Sequence, residues 1–369
     1  MLSRQENLFS LVCAAIFCPS CSFSSLIDGA CSSLNTHRFI AEVCYDGSDF
    51  AGWQSQSTKR SVQGILNEAL SKTYKTPVKV CGASRTDKGV HANGQIIHFD
   101  LPSSFANEDT IHTINDFNRK LPDDLKLVRW AHAPEGLLEI QKTEGLPFHA
   151  IENAISKNYY YEFSASDRTI DPMTTRYRAS LYNYKAFQVF DIIAFQAALN
   201  VFLGKHDFRA FGNRLDVRAK KSEEYSNMIF SSVRTIESAS IKEIRIPRIL
   251  QFEYEPHIGD DLKSLSDIIP NQILIPPKRT ISNNYGDKYS GDVFYRVNIV
   301  LDGALYKMLR NIIAGCAEVA YGTMSLLELR ALLDGAVSRA ENRLVTAPAC
   351  GLYLQKVNYI EKMFDSTHV

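Results

Sequence analysis

The 369-residue sequence has no excess of charge of either sign: 41 Lys and Arg stand against 41 Asp and Glu. Gripping phosphates without discrimination needs a large positive surplus, so the balance argues against a histone-like or polybasic binder and leaves room for a local basic groove. The chain also lacks any run of about eighteen or more apolar residues, which predicts no spanning helix and no membrane partner. Cysteine lacks paired spacing. Cys13, Cys18, Cys21 and Cys31 crowd the N-terminus, and Cys44, Cys81, Cys316 and Cys350 are scattered singly. The Cys18/Cys21 gap is that of a zinc knuckle, but no second pair follows to complete a tetrahedral shell, so neither a disulfide framework nor a metal is expected. What remains is an ordinary globular composition, 45% hydrophobic and 22% charged. At about 150 residues per domain the length suits two domains or one large one.

Residues 1–36 carry Arg4, Glu6 and Asp28 as their only charges, then an apolar run Leu8–Phe17 and a Ser/Cys-rich stretch Ser20–Ser33. A basic residue before a short apolar core is the pattern of a secretory signal, whereas a serine-rich, acid-poor tail is that of an organellar transit peptide. The segment is expected to be a targeting leader to a plastid or mitochondrion; the alternative is a disordered extension on a cytoplasmic protein.

From Arg38 onward the pattern is that of folded protein. Phe39–Tyr45 alternates like a strand and ends at the turn residues Asp46 to Asp49. Ser61 can cap a helix whose apolar positions Val62, Ile65, Leu66, Ala69, Leu70 and Tyr74 share one face, and Pro77 stops it. Strands are expected at Val78–Ala83 and Gln95–Leu101 around a loop Ser84–Gly94, then a helix at Thr110–Leu121 and a strand at Lys126–Ala131. The order β-α-β-β-α-β recurs beyond the Tyr-rich strand Lys157–Ala165. A helix is expected at Asp191–Leu203, strands at Ser231–Ile241 and Val293–Leu301, helices at Tyr306–Tyr321 and Ser325–Leu333, and a strand at Leu352–Ile360. Two α+β halves, residues 37–150 and 151–369, would join their sheets edge to edge and leave a cleft between them. Residues 242–292, rich in Pro, Asn, Asp and Lys, read as an insertion; it is either a surface loop or a flap over RNA.

The most informative stretch is ASRTDKGVHANGQ, residues 83–95, which sets the carboxylate of Asp87 two residues after the guanidinium of Arg85 in a loop bracketed by Gly89 and Gly94. Alone, Arg-Thr-Asp describes a capped turn as well as it describes a catalytic loop. It does not stand alone. YDGSDFAGWQSQ at 45–56, SVQGILNEAL at 61–70, SRTDKGVHANGQ at 84–95, KNYYYEF at 157–163, HDFRAF at 206–211, YKMLRNIIAG at 306–315 and APACGLYL at 347–354 follow in order. The series resembles the motif set of the TruA-type tRNA pseudouridine synthase family, over the whole chain from Arg38 to Tyr359 except the insertion.

The resemblance implies two pseudo-symmetric ferredoxin-like halves sharing a continuous antiparallel sheet, an active site in the central cleft, and isomerisation of uridine in tRNA, in the anticodon stem-loop. It leaves room for a homodimer. It also implies that Asp87 is the essential catalytic residue, with Tyr159 as the active-site tyrosine and Arg310 as the second arginine. Chemistry agrees with those roles. The reaction breaks the N1-glycosidic bond, turns the base and joins C5 to the ribose. No redox step occurs, so no cofactor is expected. A carboxylate can serve as nucleophile or base only if it stays ionised in a partly dry pocket, which a guanidinium favours. Tyr159 offers a ring for uracil and a phenol for proton transfer. Arg85 suits RNA, filling the space left by an extruded base or holding a phosphate.

For binding, Lys205, Arg209, Arg214, Arg218, Lys220 and Lys221 outnumber Asp207 and Asp216 in one short stretch, a patch able to meet the phosphates of a stem. His91 is set aside as a general base, since a loop histidine commonly satisfies backbone groups. Asp46 and Trp53-Gln54 read as cleft rim, or equally as a turn and a core tryptophan. The chain departs from the family pattern at Ser84 and Lys88, which flank Arg-Thr-Asp where glycine and alanine are usual, and at Ile151, where an arginine is usual. The rival reading is a non-catalytic RNA-binding or tRNA-folding protein on the same scaffold; Asp87, Tyr159 and Arg310 speak against it.

Overall fold

A computed structural model describes residues 36–106, 110–134, 147–165, 172–182, 189–213, 231–246, 292–335 and 338–360. The leader through Asn35, Arg214, Arg218, Lys220, Lys221 and residues 247–291 of the insertion lie outside the described residues.

The alternating segment is β1 (Thr36–Tyr45). Ser61 caps α1 (Val62–Tyr74), its hydroxyl accepting from the Gly64 N–H at 3.3 Å, and Val62, Leu66 and Leu70 bury one face. The next strand, expected over Val78–Ala83, shrinks to β2 (Cys81–Gly82). The reason is side-chain competition for the backbone: Ser71 Oγ takes the N–H of Val78 at 2.8 Å and Asn67 Oδ1 that of Val80 at 2.8 Å, so α1 satisfies groups that a ladder would otherwise use. β3 runs His91–Pro102 and so starts earlier than expected. Gly94 therefore lies inside a strand rather than in the loop. Its requirement is close approach, because a Cβ there would stand 2.6 Å from the Gln355 carbonyl oxygen of the neighbouring strand.

α2 (Thr110–Asn118) stops short of Leu121 because the Asn118 side chain pairs with both the N–H and the C=O of Leu127 in β4 (Leu125–His132). Then come β5 (Ser156–Ser164), β6 (Ala179–Ser180), α3 (Ile192–Asn200, capped by Asp191) and β7 (Gly204–Asp207). β8 runs Val233–Ile246, five residues into the expected insertion, because Lys242 to Ile246 stay in register with Arg296 to Asp292 of β9 (Asp292–Leu301). α4 (Met308–Ala320), α5 (Leu326–Asp334) and β10 (Leu352–Asn358) complete the chain.

The described residues form an α+β fold on one mixed sheet, ordered β4-β1-β3-β10-β5-β9-β8-β7, with β2 on β3 and β6 on β5. The expectation of a wholly antiparallel sheet is corrected at the seam. β10 pairs with β3 in parallel, Tyr353 with His91 and Leu354 with Ala92. Both strands enter the sheet from the same rim, β3 from the loop at 84–90 and β10 from the turn Ala349–Gly351, and so they run alike. β1 occupies one edge of β3 along its length, so β2 and β10 share the other, β2 at Ile97–His98 and β10 at His91–Ala92. The loop 84–90 emerges where one gives way to the other. α4 is buried on nearly every side, with Met308, Ile312, Ile313 and Cys316 fully enclosed, each such aliphatic side chain worth about 1.5–3 kcal/mol of burial.

Candidate active site

The loop leaves the sheet at Ala83, whose N–H still reaches the Ile96 carbonyl at 2.8 Å. Ser84 is held at both backbone groups by the Gln95 amide, 3.1 Å to its N–H and 2.6 Å to its C=O. Thr86 turns inward: its hydroxyl meets the Tyr45 phenol at 2.8 Å and its carbonyl accepts the Trp53 N–H at 3.0 Å. Gly52, at φ +105°, passes so close that a Cβ there would meet the Thr86 carbonyl oxygen at 2.9 Å and backbone atoms of Asp87 and Lys88 near 3.2 Å. Only glycine allows both that dihedral and that approach. The 45–56 motif is therefore the bed of the loop. Trp53 is core, 1% exposed and packed on Gly82, and Asp46 caps the turn Gly47–Asp49, so neither forms a rim.

With Thr86 turned in and the chain reversing at Gly89 (φ +78°), Asp87 faces Arg310 in the first helical turns of α4. Arg310 Nη1 stands 3.4 Å from Asp87 Oδ2, with the two side chains only 12% and 11% exposed. Arg310 is itself aimed: its Nε donates to the Ala347 carbonyl at 2.7 Å, and Ala347 N–H returns a bond to the Arg310 carbonyl at 3.3 Å. A guanidinium fixed at Nε and offering Nη1 favours the ionised carboxylate.

Tyr159 on β5 arrives from the side, its phenol 2.7 Å from Ser84 Oγ. Burial pushes this phenol up to about 12, the Ser84 bond opposing and the charge of Asp87 reinforcing the shift. It is a neutral hydroxyl beside a carboxylate. Ser84, which in the sequence is merely a departure from glycine, thus links the loop to the tyrosine. Arg85 and Lys88 are exposed on the loop's outer side.

His91 is buried, accepts the Gly47 N–H at Nδ1 (3.1 Å), meets the Arg176 carbonyl at Nε2 (3.0 Å) and stacks on Tyr353. Nδ1 also stands 3.1 Å from Asp46 Oδ1, and burial lowers the His91 pKa against the opposing charge of that carboxylate, which suits a structural histidine. Asp46 sits beneath it. Burial works against ionisation of Asp46, but bonds from Ser48, Tyr177 and Arg176 outweigh that and hold its carboxyl down at about 2. Arg176 bridges Asp46 and Asp49 at 3.1 and 2.8 Å and ties segment 172–182 to the bed of the loop, a contact that no local sequence signal announces. Of the basic stretch, Lys205 is exposed, and Arg209 is committed to Asp207, Nε to Oδ2 2.8 Å.

Cys81, His98 and His149 gather their donor atoms within 4.8 Å. Both imidazoles, however, spend Nδ1 accepting backbone N–H groups, of Ala150 at 3.1 Å and Glu152 at 3.3 Å, which puts their protons on Nε2. In this arrangement the cluster is a hydrogen-bonded one and lacks the lone pairs a metal needs.

An arginine-clamped carboxylate, Asp87, and a neutral phenol, Tyr159, stand at the seam of a mixed α+β sheet, a pairing able to supply an anionic oxygen beside a proton donor. A tRNA pseudouridine synthase family model matches residues 41–139 and 198–360. The chain is 30% identical over 332 residues to tRNA pseudouridine synthase A of Leuconostoc citreum, spanning 88% of this chain and 98% of that one. The proteins of that name from Lacticaseibacillus casei (29%; 88% and 100%) and Geobacillus kaustophilus (30%; 88% and 95%) are similar to it along their length. The chain belongs to the tRNA pseudouridine synthase family and is an isomerase.

Proposed function

We propose that this chain converts uridine to pseudouridine in the anticodon stem-loop of tRNA, with Asp87 as the reacting carboxylate. The observation that carries the assignment is the 3.4 Å pair of Asp87 and Arg310, joined across the β3–β10 seam by residues 223 positions apart. The substrate must lose its N1–C1′ bond, turn while held and gain a C5–C1′ bond, with a proton leaving C5 and one arriving at N1. Asp87 supplies an anionic oxygen, as nucleophile or as base, and Arg310 keeps it ionised and oriented as water is excluded. Tyr159 places a ring against uracil and, with a phenol near 12, acts as a donor rather than a base.

Extrusion of the base from its stack costs a few kcal/mol, and Arg85, exposed beside Asp87, is placed to hold a phosphate or the vacated space. Of the basic stretch, Lys205 is free of the ion pair that occupies Arg209 on Asp207, and with Arg214, Arg218, Lys220 and Lys221 it contributes a salt-sensitive phosphate contact. The sheet supports reading the chain as a duplicated ferredoxin-like unit around a cleft, since β4-β1-β3-β2 and β10-β5-β9-β8 repeat one spatial order. The leader composition supports an organellar destination, which a fluorescent fusion of residues 1–36 tests. Function is tested by Asp87→Ala: conversion of an unmodified tRNA transcript is abolished while tRNA affinity stays within about three-fold, as a group reserved for the chemical step requires. Conversion by that variant refutes the assignment.

A further inference from the structure

Strand interiors have little use for an ammonium, yet Lys157 of β5 is 8% exposed, on the same face as Tyr159 and Tyr161. Its Nζ donates to the carbonyl of Ala83 at 2.7 Å. Ala83 is the residue at which the loop leaves the sheet, and the next residue, Ser84, holds Tyr159. Two consecutive loop residues are thus gripped by two residues of one β5 face, the first through a charge-assisted bond. We propose that Lys157 is a positioning residue for the isomerisation, fixing the Ala83 carbonyl so that the loop presents Asp87 to Arg310. The proposal rests on the reading of Asp87 given above.

The placement is costly, which argues against a role in packing alone. Burial lowers the Lys157 pKa to about 8, Arg234 of β8 pushing the same way and Asp302 after β9 opposing. Between about 8 and the ordinary value of 10.5 the unfolded chain binds more protons than the folded one, so this group contributes stability that rises with pH across that window. At neutral pH the folded protein carries the full penalty. An apolar side chain of similar length would remove it.

Lys157→Met in the full-length protein is compared with wild type, Asp87→Ala and Asn158→Ala, which changes the opposite face of β5. The readouts are single-turnover conversion of a tRNA transcript, tRNA affinity and melting temperature at pH 7. Lys157→Met is expected to slow conversion about ten- to a hundred-fold, with tRNA affinity within about three-fold and an unchanged or higher melting temperature. Lys157→Arg, which keeps a cationic donor, lies closer to wild type, and Asn158→Ala stays within about two-fold. Conversion by Lys157→Met within about two-fold of wild type overturns the proposal, as does a loss of rate that only follows a loss of melting temperature. Should Lys157→Met not fold, Lys157→Gln is judged by the same criteria. Conversion by Asp87→Ala refutes the reading of the site instead, whatever Lys157→Met does.

Discussion

The two faces of β5 are built from similar residues and do different things. Lys157, Tyr159 and Tyr161 point to one side. There Lys157 and Tyr159 hold Ala83 and Ser84, and the Tyr161 phenol donates to the Pro348 carbonyl at 2.9 Å, next to the Ala347 that aims Arg310. Asn158, Tyr160 and Glu162 point to the other. Tyr160 stacks on Tyr353 at 4.4 Å and accepts from Asn93 Nδ2 at 3.0 Å, Glu162 pairs with Arg296, and Tyr353 stacks in turn on His91. One face reaches the loops of the site; the other staples β5 to β10 and β10 to β3. Three adjacent tyrosines, all buried and all with raised pKa values, therefore have three separate duties: strand alternation sets Tyr160 apart from the other two, and their partners, Ser84 Oγ and the Pro348 carbonyl, distinguish Tyr159 from Tyr161.

That division is open to direct attack. The largest effect is expected at Tyr161, 1% exposed: Tyr161→Ala removes a full aromatic ring from the core and should cost about 3–5 kcal/mol in urea unfolding. A cost under about 1 kcal/mol would mean that this face is not packed as described. Next comes Tyr159→Phe, which keeps the ring and deletes the bond to Ser84. One hydrogen bond is worth about 1 kcal/mol, so conversion should fall about five-fold with tRNA affinity little changed. Because the phenol titrates near 12, wild type and Tyr159→Phe should show parallel rate profiles between pH 6 and 9. A limb below pH 9 that disappears in the variant would show an ionising tyrosine and break the assignment.

How much of this was legible in the sequence follows from the range over which each feature is encoded. The loop Arg85-Thr86-Asp87, the capped helix at Ser61 and the trio Asp87, Tyr159 and Arg310 are carried by contiguous motifs in fixed order, and the structure brings the trio together. The shortness of β2 is different, since periodicity sees apolar alternation but not that Asn67 and Ser71 will take the strand's N–H groups. The parallel seam is a pairing of His91 with Tyr353, and no local pattern specifies it. In the sequence Ser84 is only a departure from the usual glycine, and in the structure its hydroxyl meets the Tyr159 phenol. Arg209 counted toward a basic surplus although Asp207, two residues away, already neutralises it.

The smallest effect is the most discriminating. Tyr160→Phe removes a phenol one residue from Tyr159, of the same chemical type and also buried, whose bond to Asn93 is again worth about 1 kcal/mol. Its ring stays stacked on Tyr353, so the seam should hold. The Asn93 amide, part-buried in that bond, can turn to water. Conversion should therefore change by less than about two-fold while stability falls by about 1 kcal/mol, whereas Tyr159→Phe slows conversion. If both variants slow conversion alike, the faces of β5 are not divided between chemistry and stapling, and a path from Tyr160 through Tyr353 and His91 to the base of the loop must carry geometry to Asp87 as effectively as the direct grip of Ser84 does.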